Sequence, residues 1–385
     1  MLPNYSILHK QDIFITEKYE PDIRRDELSF LSRSFERHFN ERPYLHHTCY
    51  LFLTKTTKER SRQQSNWNTL CRGFLVPKEI RDKETVERFM EAVGQFESIV
   101  NDSGLVRLER LTTEEITGTE NEPGIIERYL TLSADGTTML QDMQLNPDGM
   151  RIGDKRLCLH TLSDLDDLPG KVKTDGRYER LSTDRSDCRL SYAAPVGVML
   201  PCDHIYNQWI FIDDSNENLS RFEKAAKNMQ SLSRYSRSNQ INKEWLDEYL
   251  NEAHSNGLQS VRCHCNIIAW AENGHELRRV KNDVGSALAL MECTPHHNTT
   301  DLPALYWAGI PGNEADFPAE ETFYTFTGQA LCFFTAETCY RNSLSPFGIR
   351  MVDRLTGKPV FLDISDLPMK KGIVCLLYTS PSPRD

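Results

Sequence analysis

The run from Leu258 to Trp270 constrains the fold more than any other stretch, because Val261, Cys263, Cys265 and Ile267 recur at every second residue and share one face of an extended strand. Directly after it, Leu277, Val280, Val284, Ala287, Leu288 and Met291 recur at helical spacing. The same change of period occurs earlier. Asn4 to Ile15 and Thr48 to Thr54 read as strands, with Pro21 to Arg42 between them as a charged helix carrying Leu28, Leu31 and Phe35. Glu84 to Val100 puts Val86, Phe89, Met90, Val93, Phe96 and Val100 on one helical face, and Gly104 stands where that helix should stop. Leu105 to Leu111 predicts a short strand, and Thr112-Thr113-Glu114-Glu115 has the spacing of a capping box. Strands alternating with helices point to α/β layering.

Further along, Arg151 to Leu159 predicts a hairpin around Gly153-Asp154. Ser163 to Arg189 is polar and rich in Asp, too poor in apolar residues for a core, and reads as a long partner-facing arm. A new unit opens near Leu190. His204 to Asp213 predicts a strand, Ser215 a cap, and Leu219, Phe222, Ala226, Met229 and Leu232 a helical stripe, with a second stripe at Ile241, Trp245, Tyr249 and Ala253. Leu302 to Ile310 is a short apolar segment, and Ala319 to Tyr340 predicts a helix. Ile349 to Asp353 and Val360 to Ile364 flank Thr356-Gly357-Lys358-Pro359 as a second hairpin.

Apolar residues make up 39% of the 385 and charged residues 26%, which suits a globular chain rather than a disordered one. The formal net charge of −11 excludes a dominant attraction to nucleic acid or an acidic membrane over the whole body. No apolar run approaches the ~20 residues that span a bilayer, so the expectation is a cytoplasmic protein. Eleven cysteines without a Cys-x-x-Cys spacing read as reduced thiols, several of them in apolar runs.

Cys263-His264-Cys265 is the most metal-like cluster, yet strand alternation sends the cysteines to one face and His264 to the other, and no fourth ligand stands at a recognisable spacing. His46-His47 and His296-His297 read as solvated histidines in loops. No nucleophile elbow or His-Glu-x-x-His occurs, so no catalytic, cofactor-binding or metal-binding residue is assigned. The remaining candidates are basic: Lys55, Lys58, Arg60 and Arg62 in an exposed loop, and Arg234 and Arg237 between two helices, as contacts for a partner or an anion.

The closing hairpin, together with Asn266-Ile267-Ile268-Ala269-Trp270, Ala308-Gly309-Ile310-Pro311-Gly312-Asn313 and Ser233-Arg234-Tyr235-Ser236-Arg237-Ser238-Asn239, resembles the TraG family of conjugative-transposon ATPases, along essentially all of Leu2 to Val374. The resemblance implies an α+β fold of two mixed α/β N-terminal subdomains, residues 1–162 and 190–344, joined by the 163–189 arm. Residues 345–374 would then be the first hairpin of a RecA-like P-loop ATPase domain. In that family a Gly-x-x-x-x-Gly-Lys-Ser/Thr loop follows the hairpin. Here the two Gly-Lys pairs, Gly170-Lys171 and Gly357-Lys358, lack the first glycine, so no backbone cradle for phosphates is expected.

Cys375 to Asp385 resembles a translated sequencing adapter, and Met1 reads as an internal codon. The expectation is therefore a fragment that lacks the ATP and Mg²⁺ site of its parent. It would contribute docking and regulation at the cytoplasmic face of the inner membrane, contacting type IV secretion pore proteins and assembling as a homo-oligomer through the full-length ATPase, with no direct DNA binding. The alternative is a stand-alone adaptor of the conjugation machinery.

Overall fold

Two strands of almost uninterrupted burial, β6 (His204–Ile212) and β7 (Ser260–Ala271), pair antiparallel at the middle of the molecule, with Asn207 opposite Asn266 and Trp209 opposite His264. In this computed structural model the described residues are 2–19, 30–40, 42–61, 82–133, 141–146, 149–172, 176–232, 236–297, 300–337, 342 and 349–363. The chain divides into a larger unit, Met1–Ile15 with His47–Glu337, and a smaller one, Thr16–His46 with Thr338–Asp385.

In the larger unit the described strands form a nine-stranded sheet in the order β2-β1-β6-β7-β5-β4-β3. The outer members are β1 (Ser6–Glu17), β2 (Tyr44–Lys55), β3 (Met143–Asn146), β4 (Gly149–Ile152) and β5 (Lys155–Leu162), with β8 (His296–His297) on β5 and β9 (Phe323–Phe326) on β7. Each pair with a described register runs antiparallel. Strands drawn from both the 1–162 and the 190–344 spans therefore hydrogen-bond into one sheet, since β1 pairs β6 and β5 pairs β7. The fold is mixed α/β with a mostly antiparallel sheet, and no helix among the described residues is long and apolar enough to cross a membrane.

Both faces of the sheet are covered. One packs Val261, Cys263, Cys265 and Ile267 with Leu8, Tyr206 and Ile210 against Val284 and Leu288 of the helix Gly274–Leu290. The other packs Ile7, Trp209, Phe211 and Ile268 against Tyr129, Leu305 and Tyr306. The two tyrosines clasp each other: each phenol donates to the other's backbone carbonyl at 2.8 Å. Full burial of each such side chain contributes about 1.5–3 kcal/mol before the entropy of ordering is subtracted. A third, smaller cluster of Leu219, Leu250, Ala253 and Phe326 lies with the helix pair Ser215–Leu232 and Arg237–Asn256.

Local chemistry sets the element ends. The Thr112 hydroxyl accepts from Glu115 N at 3.2 Å while the Glu115 carboxylate accepts from Thr112 N at 2.7 Å, the expected capping box. Gly153, at φ 55°, turns the β4–β5 hairpin at the expected place, and Gly104, at φ 68°, follows the helix Lys83–Asp102. The cap before Ser215–Leu232 is Asp214, whose carboxylate accepts from Asn216 N and Glu217 N, whereas Ser215 uses its hydroxyl to accept from Ser260 N at 3.0 Å.

Two expectations are corrected. The Ala319 to Tyr340 stretch is not one helix: among its described residues Ala319–Glu321 is a 3-10 turn, Phe323–Phe326 adds β9 to β7, with Cys263 opposite Phe323, and Thr327–Leu331 is a short helix. Its alternating aromatic and β-branched residues suit the exposed ladder of a nearby strand better than a helix. Leu105 to Leu111 forms no strand. The side-chain amide of Asn101 takes the place of a strand partner, accepting from Leu108 N at 2.6 Å and donating to Leu108 O at 3.3 Å.

In the smaller unit, the helix Phe30–Asn40 presents Phe35 and Phe39 to Tyr19 and Phe361. The hairpin of β10 (Ile349–Val352) and β11 (Pro359–Leu362) forms as the sequence indicates, with Gly357 at φ 74° and Asp353 N donating to Lys358 O at 2.9 Å. The Arg350 guanidinium lies over the rings of Phe35 and Phe361. The expected run toward a further strand, up to Val374, lies outside the described residues beyond Asp363, as does all of Cys375 to Asp385.

Candidate functional site

The basic candidates come first, because the structure places them differently from one another. The segment after β2 is not an exposed loop: Lys58–Ser61 is one helical turn, held at several points. Lys55 Nζ donates to Asn4 O at 2.6 Å and to Thr56 O at 3.1 Å. Lys58 pairs with Glu217 at 2.8 Å, and Arg60 pairs with Asp316, its Nε donating at 3.2 Å. Ser61 O accepts from Arg262, whose guanidinium forms a buried ion pair with Asp213 at 2.6 Å. These cations are matched by carboxylates and carbonyls of the chain itself, which the sequence could not show because Glu217 and Asp316 lie more than 150 residues away. Arg237 is exposed at the start of its helix. Arg62 and Arg234 lie outside the described residues.

The densest polar chemistry lies inside the sheet, on residues of which the sequence had singled out only His47 and His264, and those in other roles. On one face a directed chain of hydrogen bonds crosses three strands. His264 donates from Nδ1 to Glu321 O at 2.5 Å, which leaves its Nε2 to accept from Asn266 Nδ2 at 3.0 Å. Asn266 Oδ1 accepts from Asn207 Nδ2 at 3.0 Å, and Asn207 Oδ1 accepts from Gln11 Nε2 at 2.9 Å and from His9 Nε2 at 3.1 Å. Gln11 donates onward to Gly309 O at 3.0 Å. His9 stacks on Trp209 at 4.3 Å and faces the Glu314 carboxylate at 3.6 Å. Although burial pushes the Glu314 carboxyl up, His9 and the Thr54 hydroxyl outweigh it and hold the group below its ordinary value.

On the opposite face Asp12 is the centre. Its carboxylate accepts from His47 Nε2 at 2.9 Å, Gln208 Nε2 at 3.0 Å and the Thr335 hydroxyl at 2.7 Å, and it pairs with Lys10. Burial alone would raise its pKa; the His47 hydrogen bond and the Lys10 charge hold it far below the usual carboxylate range. One row away, Phe14 lies between the rings of His47 and His204, at 4.3 and 4.5 Å. His204 sets its two nitrogens against the carbonyls of Cys202 and Val196. Two acceptors would favour an imidazolium, but burial wins and pushes His204 down to about 4. His264 is pushed down to about 3 for the same reason.

His47 is thus a buried strand residue and not the solvated loop histidine expected, and His296–His297 form β8, with His296 on Asp167 at 2.8 Å. Cys263 and Cys265 pack in the apolar core on one face of β7 while His264 lies on the other, as strand alternation requires. Burial raises the Cys265 thiol well above its ordinary value. Among the described residues no group of three His, Cys, Asp or Glu side chains is placed to hold a metal.

The inner polar residues have almost no solvent access: His9, Asp12, Asn207, Gln208, His264, Asn266 and Glu314 are all fully buried. A substrate cannot reach them. What they do is fix strand register, because a slip of one residue would turn each of them toward an apolar layer without its partner.

The surface that remains open lies elsewhere. The helix Lys83–Asp102 has no buried residue over 20 positions. Phe96 packs partly against the core, while Val86, Met90 and Ile99 are 41%, 50% and 68% exposed, and Leu105 beyond it is 89% exposed. Arg110 Nε donates to Glu97 at 2.7 Å beside an open groove lined by Glu91, Gly94, Gln95, Ser98 and Ile99. No protein-family model and no curated protein matches this chain.

Proposed function

We propose that this chain is the docking and regulatory part of a TraG-family conjugation ATPase, and that it takes no part in ATP hydrolysis itself. The observation that carries the reading is the resemblance along Leu2 to Val374, whose Asn266–Trp270 segment forms the middle of β7 and whose closing hairpin is β10–β11. The docking role is supported by the contrast between sealed polar groups inside and the apolar side chains left open on the helix Lys83–Asp102, Val86 and Met90 on one flank and Ile99 on the other. The parent would use ATP and Mg²⁺ to drive DNA transfer or assembly of a type IV secretion apparatus. This part would engage pore proteins at the cytoplasmic face of the inner membrane.

Two measurements test it. Calorimetry of the purified chain with Mg-ATP is expected to show no saturable binding, and tight binding or turnover would overturn the non-hydrolytic role. Donor cells whose own copy carries Ile99→Asp are expected to lose transfer efficiency with the protein level unchanged; undiminished transfer would remove the docking reading.

A further inference from the structure

Leu105-Val106-Arg107-Leu108-Glu109-Arg110-Leu111 has the composition of a strand, yet among the described residues no strand pairs with it. Leu105, Val106, Arg107 and Glu109 are exposed, and no residue of the run has a positive φ. The Asn101 side chain shows how the backbone is set. Its amide accepts from Leu108 N and donates to Leu108 O, so both groups of Leu108 point to one side, as in a hydrogen-bonded strand pair. Successive residues of an extended chain present these groups to opposite sides, which turns those of Arg107 and Glu109 to the edge away from Asn101.

Leu105, Arg107, Glu109 and Leu111 alternate onto one face of that edge, and the order leucine, arginine, glutamate, leucine is its own complement when reversed. We infer that this segment is a self-association strand, through which two copies of the chain pair antiparallel about Leu108. Arg107 then lies opposite Glu109 of the second copy, Glu109 opposite its Arg107, and each Leu105 opposite a Leu111. Within one chain Arg107 Nε stands 3.2 Å from the Glu109 carboxylate, so dimerisation exchanges each such pair for one across the seam and leaves no charge unmatched. Asn101 occupies the other edge at Leu108, so pairing stops at two.

Charge decides among occupants. The chain carries −11, but Leu105 to Leu111 holds two Arg against one Glu, so two copies meet here with less repulsion than over the rest of the surface. A strand of unrelated sequence gains the same backbone bonds, but matches Arg107 and Glu109 only by chance.

The inference goes beyond the docking reading and does not rest on the conjugation assignment, so sedimentation of the purified chain tests it separately from the transfer assay. A monomer–dimer equilibrium should appear below about 0.1 mM. Arg107→Glu and Glu109→Arg each set like charges opposite one another and should weaken self-association about tenfold or more. The double variant Arg107→Glu/Glu109→Arg keeps the palindrome and should recover the dimer. An equimolar mixture of the two single variants should form a heterodimer, because each supplies the charge the other lacks. A chain that stays monomeric throughout that range, a dimer indifferent to both reversals, or one that the double variant does not recover overturns the proposal. Leu108→Cys gives a check independent of charge. Facing residues of a non-hydrogen-bonded pair stand about 4.5 Å apart at Cα, within disulfide reach, so oxidation should link the two copies at position 108. Linkage only through other cysteines overturns the proposal as well.

Discussion

The sheet interior and the helix Lys83–Asp102 break opposite halves of the same rule. At the centre of the sheet, polar side chains occupy positions where apolar ones are expected, and nearly every one is matched by a partner within 3.1 Å. On the helix, apolar side chains occupy positions open to water and nothing within the described chain covers them. Matched polar groups inside specify a single register at little net gain in stability, whereas uncovered apolar groups outside cost stability that association can recover. The first region is rigid framework; the second is contact surface.

Three experiments would break or sharpen that contrast. The largest effect is expected of Asp12→Ala, which leaves His47 and Gln208 buried without their common acceptor and removes the ion-pair partner of the partly buried Lys10. It should cost about 3–5 kcal/mol in urea unfolding, and a loss below about 1 kcal/mol would mean the network is not held as described.

Next comes pH. His204 and His264 stay neutral when folded, at about 4 and about 3, but take up a proton below about 6.5 when unfolded. The unfolded state therefore binds more protons between those limits. Their contribution is complete above pH 6.5 and falls as pH drops toward 4, by about 3 kcal/mol per histidine. Asp12, whose folded pKa is also depressed, adds its own loss only below about 3.8. Unfolding curves at pH 7 and pH 4.5 should show this slope, and His264→Asn should flatten it; an unchanged slope would mean His264 is not buried neutral. The smallest effect belongs to Ile99→Ser, which should shift stability by no more than about 0.5 kcal/mol. A larger loss would show that the helix face is covered after all.

Features set by neighbours in sequence were legible. The face shared by Val261, Cys263, Cys265 and Ile267, the helix after it, the Gly153 turn and the Thr112 box all depend on residues a few positions apart. Features set by distant neighbours were not. β9 looks helical until β7 is beside it, and Leu105 to Leu111 looks like a strand until the Asn101 side chain takes its ladder bonds. The buried polar network escaped for a sharper reason. Alternation reads a polar strand residue as pointing to water, and His9, Asn207 and His264 point instead into a second packed layer. The available signal was the pair Asn207-Gln208 inside an otherwise apolar strand, where polar groups on successive residues must face both layers at once. As for the candidate surface, the amphipathic helix was legible, but that its apolar face stays partly open was not.

The position of β1 also bears on how the chain is made. Its first residue, Ser6, pairs with Ile212, so an early strand waits for more than 200 intervening residues before its inner neighbour exists. During synthesis the segments of β1 and β2 leave the ribosome long before β6, with one hydrogen-bonding edge unfilled and apolar side chains uncovered. Products stopped before His204 should therefore aggregate, and a chain ending after β6 only moves the open edge to β6; completion of β7, which joins β6 to the earlier β5, is the point at which the nascent protein becomes safe to leave alone.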